Sequence, residues 1–405
     1  MTKSFVLGFC KLGFNWALDI GAWDFLQKIL FKNHRSDLMF RFSNIFLHLK
    51  RLDWKLFLTI FALAAISLLA IYSSCTVKGD FSNFYKQAGF FGVGFLLAIV
   101  LSFLDWRVFR ENSYFILLLY FLCILLLIGV FFFAGEIRGT KSWYKIGEFS
   151  FDPVELTKFV LAMLLAKYFS KRHIEMYKIQ HIFLSGFYAA IPVVLAALQP
   201  NIGSASLLLI VWLGILVISG IKIKHFLFVC LGLVLAVALG WNFFIHDYQK
   251  ARITSFLFPQ ADPFGASWSQ KQAGIAIGSG GLLGQGWLNG SQTHHGFLPE
   301  PQTDFIFSAL AEEFGLAGVA VLILLFAYLF WRVLKIAIQA ESNFARLFVF
   351  GFAIIIFAQM FINIAMNLGM APIVGISLPF VSYGGSNLLF IFASLGIIQS
   401  IKASS

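Results

Sequence analysis

The stretch "ALQPNIGSASLLLIVWLGILVISG" runs from Ala197 to Gly220 and places a short polar patch, Gln199-Pro200-Asn201, between two long apolar runs. A similar patch begins at Leu378, where "LPFVSYGGSNLLF" again joins polar residues to an apolar run. The polar groups of both patches need partners that a purely apolar phase cannot offer. We therefore expect both patches to border one outward-facing, water-filled cavity.

The composition predicts an all-α polytopic membrane protein. Of the 405 residues, 60% are hydrophobic and only 12% are charged, which leaves too little polar surface to cover a water-soluble domain of this size. Apolar runs of about 20 residues recur, and each is long enough to cross a hydrocarbon core about 30 Å thick as a helix. We predict about ten transmembrane helices, at residues 56–74, 87–104, 113–134, 154–170, 182–199, 202–220, 224–245, 304–331, 345–369 and 384–401.

The basic residues predict the orientation of these spans. With ten spans both termini lie on one side, and a cytoplasmic placement puts most of the 30 Lys and Arg residues into inner loops. Anionic lipid headgroups then account for the net charge of +11, and no nucleic-acid partner is needed. Residues 51–405 form the predicted transmembrane domain, and residues 1–50 form a cytoplasmic extension. We expect this extension to be either an interfacial helix on the inner leaflet or a poorly ordered tail.

A long extracytoplasmic loop, residues 246–303, is predicted between the seventh and eighth spans. Its glycine run, from Gly278 to Gly281, would allow backbone N–H groups to approach a ligand and form an anion-binding concavity. Glycine-rich runs are also typical of flexible outer loops. The loop region is more informative because it also contains polar groups suited to a charged ligand: Arg252, Gln272, and Asp262 between Pro259 and Pro263.

Charged residues also occur inside two predicted spans. Glu155 and Lys158 are three residues apart near the start of the fourth span, so they share one helix face. Such an ion pair indicates a functional site, and the alternative is a snorkelling pair at the outer end of the helix. The eighth span opens with Thr303-Asp304 and carries Glu312-Glu313. Two adjacent acids cannot both face lipid, so this helix must border a polar cavity or the protein interior.

Six motifs in this order resemble the SEDS family of polytopic membrane proteins: "DPVELTK", "QPNIGSA", "ADPFGAS", "IAIGSGGLLGQGWLNGSQT", "FLPEPQTDFIFSALAEEFGLAG" and "GISLPFVSYGGSNLL". The resemblance covers about residues 50–402. It implies ten spans in the bacterial cytoplasmic membrane and an enzyme that polymerises lipid II into peptidoglycan glycan strands. The wording of the "FLPEPQTDFIF" region is closer to the RodA branch, for cell-wall elongation and cell shape, than to the FtsW branch, for division. The alternatives are an FtsW-like polymerase, a flippase for lipid-linked precursors and a non-catalytic scaffold.

The resemblance also implies roles for individual residues. Asp262 corresponds to the family's essential acidic residue and would act as the general base that activates a sugar hydroxyl. Cations at the outer face would stabilise the diphosphate leaving group. The expected substrate-binding set is Glu155, Lys158, Lys141, Arg252, Gln272, Ser279, Gly280, Thr303, Asp304, Ser382, Tyr383, Gly384, Gly385 and Ser386.

Cofactors and partners follow from the same resemblance. A divalent cation, Mg²⁺ or Mn²⁺, would be able to bridge the diphosphate, although no metal-ligand spacing is visible in the sequence. The implied partner is a class B penicillin-binding transpeptidase, beside the lipid II substrate and the membrane lipids. The chain departs from the family pattern at Asn201, where the family usually has Asp, and at Ser142, where Arg commonly precedes Trp143.

Overall fold

The computed structural model describes residues 47–135, 142–147, 149–171, 179–240, 247–258, 260 and 265–404. Residues from Leu52 onward belong to one compact unit. Almost all of the first 50 residues lie outside the described part of the chain, so the predicted interfacial helix stays a prediction.

The described chain is helical, with one small hairpin. The helices are α1 (Trp54–Lys78), α2 (Ser82–Ser102), α3 (Arg107–Glu111), α4 (Ser113–Phe133), α5 (Pro153–Ser170), α6 (Ile179–Leu198), α7 (Ile202–Ile218), α8 (Ile223–Gly240), α9 (Asp247–Leu257), α10 (Ala266–Ser279), α11 (Ser291–His294), α12 (Ile306–Gln339), α13 (Asn343–Asn367) and α14 (Gly385–Ser404). The strands β1 (Tyr144–Ile146) and β2 (Phe149–Phe151) pair antiparallel, with Tyr144 opposite Phe151.

Among the described residues, eight helices are long and apolar enough to cross a membrane: α1, α2, α4, α6, α8, α12, α13 and α14. Two further helices match the remaining predicted spans. The helix α7 is apolar but has only 17 residues, and α5 carries three charged side chains. The chain is therefore a multi-pass membrane protein, while the count of ten crossings stays a prediction.

The sequence specifies where α5 and α7 begin. The side chain of Asp152 accepts a hydrogen bond from the N–H of Val154 at 2.9 Å, and Pro153 occupies the first helical position, where its missing N–H costs nothing. The side chain of Asn201 accepts from the N–H of Ser204 at 3.1 Å. The polar patch between the fifth and sixth predicted spans is thus a helix-capping turn.

The helix α5 lies at the centre of the bundle and packs against α4, α7 and α13. Of its 18 residues, 14 are buried, including Lys158 and Lys167. A charged side chain is costly in lipid, and burial against other helices removes it from lipid contact. The charges of α5 therefore face protein.

A non-helical segment, residues 368–384, connects α13 to α14 and is partly buried. Its polar backbone atoms are hydrogen-bonded by side chains from the helices around it. The hydroxyl of Ser67 in α1 donates to the carbonyl of Val381 at 2.6 Å, and the amide of Gln87 in α2 donates to the carbonyl of Ser382 at 3.2 Å. Buried irregular backbone in a membrane protein needs such partners, and here α1 and α2 provide them.

The helix α12 is kinked at Gly315, where φ is 63° and ψ is −164°. The glycine-rich turn after α10 packs directly on this kink. The N–H of Gln285 donates to the carbonyl of Glu312, and the N–H of Leu316 donates to the carbonyl of Gly281, both at 2.9 Å. A Cβ on Gly284 or Gly315 would overlap backbone atoms of the other segment. Close backbone packing therefore explains these glycines.

The two adjacent acids of α12 lie in the protein interior, which was one of the two predicted alternatives. Glu312 is fully buried, and its carboxylate accepts hydrogen bonds from the N–H of Gln292 at 2.5 Å and from the hydroxyl of Thr293 at 2.8 Å. Glu313 is 2% exposed and accepts a hydrogen bond from the hydroxyl of Ser73. These bonds attach the segment around α11 to α12 and α12 to α1.

We predict that Gly315→Ala destabilises the fold, because alanine is strained at this positive φ and its Cβ meets the backbone of the glycine turn. The expected cost is about 1–3 kcal/mol. It should appear as a lower apparent melting temperature of the protein in detergent.

The matched control is Gly89→Ala in α2, where an added Cβ meets no atom within 4 Å. Alanine is the better helix former, so this variant should melt at or above the wild-type temperature. Equal melting temperatures for the two variants would contradict the packing described at the kink.

Candidate functional site

A cavity of about 440 Å³ lies where α5, α7 and α14 begin, next to α9 and the C-terminal half of α13. Both polar patches of the sequence line it. Pro200 and Asn201 come from the first patch, and Tyr383 to Asn387 come from the second. The two distant patches thus border one cavity, as predicted, while its outward opening and its water content stay predictions.

The wall formed by α5 contains the predicted ion pair. The ammonium nitrogen of Lys158 lies 2.5 Å from the Oε2 atom of Glu155. The side chain of Lys158 is fully buried, whereas that of Glu155 is 13% exposed and lines the cavity. Because Lys158 is enclosed by protein, the snorkelling alternative is excluded. Glu155 is the member of the pair that lines the cavity, and the buried ammonium group of Lys158 balances the negative charge of Glu155.

A second carboxyl group lies beside this pair. Asp152 precedes α5, is 6% exposed and also lines the cavity. Burial raises the pKa of Asp152, the nearby charge of Glu155 raises it further, and the hydrogen bond from Val154 acts in the opposite direction. Asp152 therefore holds a proton at a higher pH than an exposed aspartate would.

Other parts of the lining contribute a cation and an acid. Arg252 of α9 lines the cavity, and its guanidinium donates to the carbonyl of Ile373 at 3.1 Å. Asp304 lines the cavity just before α12, and its main-chain carbonyl accepts from the amides of Asn363 and Asn367 at 3.2 and 2.9 Å. These two amides of α13 therefore position Asp304.

A line of three amides on α13 was not among the predicted site residues. Gln359, Asn363 and Asn367 are each four residues apart, which places them on one face of the helix. Gln359 lines the cavity, and the other two hold the chain around Asp304. The signal was available, because three amides at this spacing inside an apolar span rarely face lipid.

The structure brings much of the predicted substrate-binding set into the cavity wall. Residues from that set in the lining are Glu155, Arg252, Thr303, Asp304, Tyr383, Gly384, Gly385 and Ser386. Two others support the wall from behind. Lys158 pairs with Glu155, and the hydroxyl of Ser382 donates to the carbonyl of Thr303 at 2.6 Å. Trp143 also lines the cavity.

The remaining candidates lie elsewhere. Gln272 and Ser279 are on α10 and Gly280 follows it, and none of the three belongs to the cavity lining. A Cβ on Gly280 would overlap the carbonyl of Ala311, so Gly280 packs on α12. Lys141 and Asp262 lie outside the described residues. The substrate-binding and catalytic roles of all these residues stay predictions.

Within the described ranges, no group of three or more His, Cys, Asp and Glu side chains is close enough to hold a metal ion. Asp152, Glu155 and Asp304 do line the same cavity, and carboxylate oxygens are the ligands that Mg²⁺ prefers. Glu155, however, is committed to Lys158. The divalent cation therefore stays a prediction.

Comparisons with known proteins agree on one family. The model of the FtsW/RodA/SpoVE family, described as cell cycle proteins, matches residues 50–405. The peptidoglycan glycosyltransferase MrdB of Escherichia coli (strain K12) is 36% identical over 351 residues, which are 86% of this chain and 93% of MrdB. The stage V sporulation protein E of Bacillus subtilis (strain 168) is 34% identical over 357 residues, covering 85% of this chain and 94% of that protein.

Two solved structures show the same fold. A peptidoglycan synthase complex, described as coordinating polymerization and crosslinking, contains a chain that matches with a TM-score of 0.74 and 29% identity, covering 87% of this chain and 98% of that chain. The rod shape determining protein RodA of Thermus thermophilus matches with a TM-score of 0.65 and 29% identity, covering 87% of this chain and 96% of RodA. The family match spans the whole helical unit, and the relatives are more than 30% identical over most of their length. This chain therefore belongs to the FtsW/RodA/SpoVE family, which is the SEDS family predicted from its motifs.

Proposed function

We propose that this protein is a peptidoglycan glycosyltransferase of the RodA type, which polymerises lipid II into glycan strands during cell-wall elongation. Family membership and the similarity to MrdB support the reaction class. The observation that carries the proposal for this chain is the cavity, in which carboxyl groups and a guanidinium group line one polar space between the helices.

The proposed reaction joins two lipid-linked disaccharides. The 4-hydroxyl of one N-acetylglucosamine attacks the anomeric carbon of the N-acetylmuramic acid at the end of another chain. A new carbon–oxygen bond forms there, and the bond from that carbon to the lipid diphosphate breaks. The diphosphate leaves with the bonding electrons, and the hydroxyl proton passes to a base. The reaction thus needs a base, a counter-charge for the diphosphate and space for two lipids.

Asp262 is the proposed base. Its motif "ADPFGAS" resembles the family's acidic motif, and it follows α9, whose residues Arg252 and Ile253 line the cavity. Arg252 is the proposed counter-charge for the leaving diphosphate, because this residue lines the cavity and a guanidinium group interacts with anions through several N–H donors. The Glu155–Lys158 pair tunes the electrostatic potential of the cavity at the α5 wall.

We further propose that the cavity opens to the extracytoplasmic side of the cytoplasmic membrane, with both termini in the cytoplasm. The distribution of basic residues supports this orientation. The partner would be a class B penicillin-binding transpeptidase that crosslinks the new strands. The related chain in a complex that coordinates polymerization and crosslinking supports a partner of this kind.

We expect Asp262→Asn to abolish glycan synthesis. The amide is nearly isosteric but cannot take the hydroxyl proton, and loss of a general base typically costs about 10²–10⁴-fold in rate. The measurement is polymer formation from purified lipid II by the full-length protein, alone and with a candidate transpeptidase. Glu341→Gln is the control, because this carboxylate is 61% exposed and lies next to α13 at its N-terminal end, away from the cavity.

Polymer of normal yield and length from Asp262→Asn would refute the assignment of the base. A flippase would give a different result. Labelled lipid II would then cross vesicle membranes that contain the wild-type protein, and no polymer would form with or without a transpeptidase.

A second prediction separates the structural role of the ion pair from its role in the reaction. Lys158→Met leaves the Glu155 carboxylate without its partner, and breaking a buried pair in this way costs about 3–5 kcal/mol. The double variant Glu155→Gln/Lys158→Met removes both charges, so its apparent melting temperature should recover toward the wild-type value. The double variant should still synthesise less glycan than the wild type, because the cavity wall has lost both charges of the pair. Full activity of the double variant would show that the pair serves folding only.

A further inference from the structure

The last turn of α5 carries a second buried lysine, at the end of the helix away from the cavity. Lys167 is 6% exposed. Lys158 has the carboxylate of Glu155 at 2.5 Å, whereas the ammonium group of Lys167 has neither an ion pair nor a hydrogen bond among the residues that the structure describes. Burying a charge without a partner is unfavourable. The position therefore calls for an anion that the described chain does not supply.

The charged tip of this side chain reaches the protein surface. The ammonium nitrogen of Lys167 is not one of the unbonded atoms that are shut off from solvent, so the small exposed part of the residue includes this nitrogen. Lysine commonly buries its hydrocarbon stem in this way and keeps the charge at a polar boundary. A ligand can therefore contact the ammonium group from outside the bundle.

Two further cations lie near Lys167. Lys171 caps the C-terminal end of α5 four residues later, and Arg110 belongs to α3, which leads directly into α4 beside α5. The charged groups that act on the buried lysine are these two cations and Glu111. Glu111 is 67% exposed and already lies 3.4 Å from Arg110. Three cations, which we call the basic cluster, thus share one carboxylate.

The dipole of α5 does not remove this imbalance. The C-terminal end of a helix carries about half a negative elementary charge, which favours lysine there. Lys167 and Lys171 both lie at this end, so one partial charge faces two full charges. The basic cluster therefore keeps an excess of positive charge.

The basic cluster lies at a boundary of the membrane. The 18 residues of α5 separate its two ends by about 27 Å, close to the thickness of a hydrocarbon core. The helix α6 begins at the same end, because the hydroxyl of Tyr168 lies 2.9 Å from the Nδ1 atom of His181. Large apolar side chains are exposed at the starts of α4 and α6, where Tyr114 is 87% and Ile179 is 51% exposed. Lipid therefore borders this region.

The chemistry of the basic cluster favours a phosphate group. Phosphate oxygens accept hydrogen bonds from ammonium and guanidinium groups, and one phosphate can bond to several donors at once. A phosphate that carries acyl chains also covers the apolar side chains nearby, which inorganic phosphate cannot do. A zwitterionic headgroup adds an ammonium group that the cations repel. A lipid with a net negative charge is therefore the better match.

We infer that Lys167, Lys171 and Arg110 form a binding site for the phosphate of an anionic phospholipid, at the end of the bundle opposite the cavity. The lipid neutralises Lys167 and links the end of α5 to α3. In the proposed orientation this end faces the cytoplasmic leaflet. The inference does not depend on the proposed reaction, because a flippase or a scaffold with this fold would have the same site.

The test measures the apparent melting temperature of the purified full-length protein in detergent, with added phosphatidylglycerol, phosphatidylcholine or inorganic phosphate. The wild type should melt at a higher temperature with phosphatidylglycerol than with either of the others. Lys167→Met keeps the length of the side chain and removes its charge. In phosphatidylcholine it should melt at or above the wild-type temperature, because the unpaired charge is gone. Its apparent affinity for phosphatidylglycerol should fall about tenfold, as expected for one lost charged hydrogen bond.

Lys335→Met is the matched control. It removes an exposed lysine of α12 at the same end of the bundle, where the ammonium group lies over the ring of Trp331 and outside the basic cluster. This variant should keep the full response to phosphatidylglycerol. An equal loss of response in both variants would overturn the inference, because general attraction to anionic lipid would then explain it.

Three further outcomes would also overturn the inference. An unchanged response of Lys167→Met would show that the lipid does not bind this lysine. A lower melting temperature of Lys167→Met in phosphatidylcholine would show that the chain itself neutralises the charge. Equal stabilisation of the wild type by inorganic phosphate would show that the site takes a free anion and not a lipid.

Discussion

The constraint on which this structure depends is the enclosure of charge on α5. A helix with Glu155, Lys158 and Lys167 cannot face lipid, so it occupies the centre of the bundle, where 14 of its 18 residues are buried. The neighbouring helices α4, α7 and α13 are arranged around it. In the ion pair near the N-terminal end of α5, Glu155 reaches the cavity while Lys158 stays inside the protein. The position of the cavity next to α5 is therefore a consequence of where these charges can be tolerated.

The cavity wall is built mainly from the ends of helices and from irregular backbone. Such segments expose N–H and C=O groups that a membrane interior does not solvate. Buried side chains of α1, α2 and α13, among them Ser67, Gln87 and Asn363, bond to these groups and keep the wall in place. The polar residues of the bundle thus fall into two sets: one holds the backbone of the site, and the other faces the space inside it.

The sequence was sufficient for the helices, the Glu155–Lys158 pair and the meeting of the two polar patches, because each follows from local spacing or from the cost of polar groups in lipid. It did not show where Gln272, Ser279 and Gly280 lie relative to the cavity, and the structure places them outside its lining. A glycine run looks the same whether it cradles an anion or packs on a kinked helix, and only tertiary contacts distinguish the two. The four-residue spacing of the amides on α13 is visible in the sequence. Which of these amides bond to the protein depends on backbone carbonyls that lie many residues before or after them, so it could not be predicted.

The glycine turn on the kink of α12 has a mechanical consequence. Four backbone hydrogen bonds and a close backbone contact join this turn to the helix on both sides of Gly315. The turn also continues α10, and Gln270 of α10 donates to the carbonyl of Ala371 beside the cavity at 2.9 Å. A displacement of α10 would therefore act at two places at once, the kink of a long helix and the rim of the cavity.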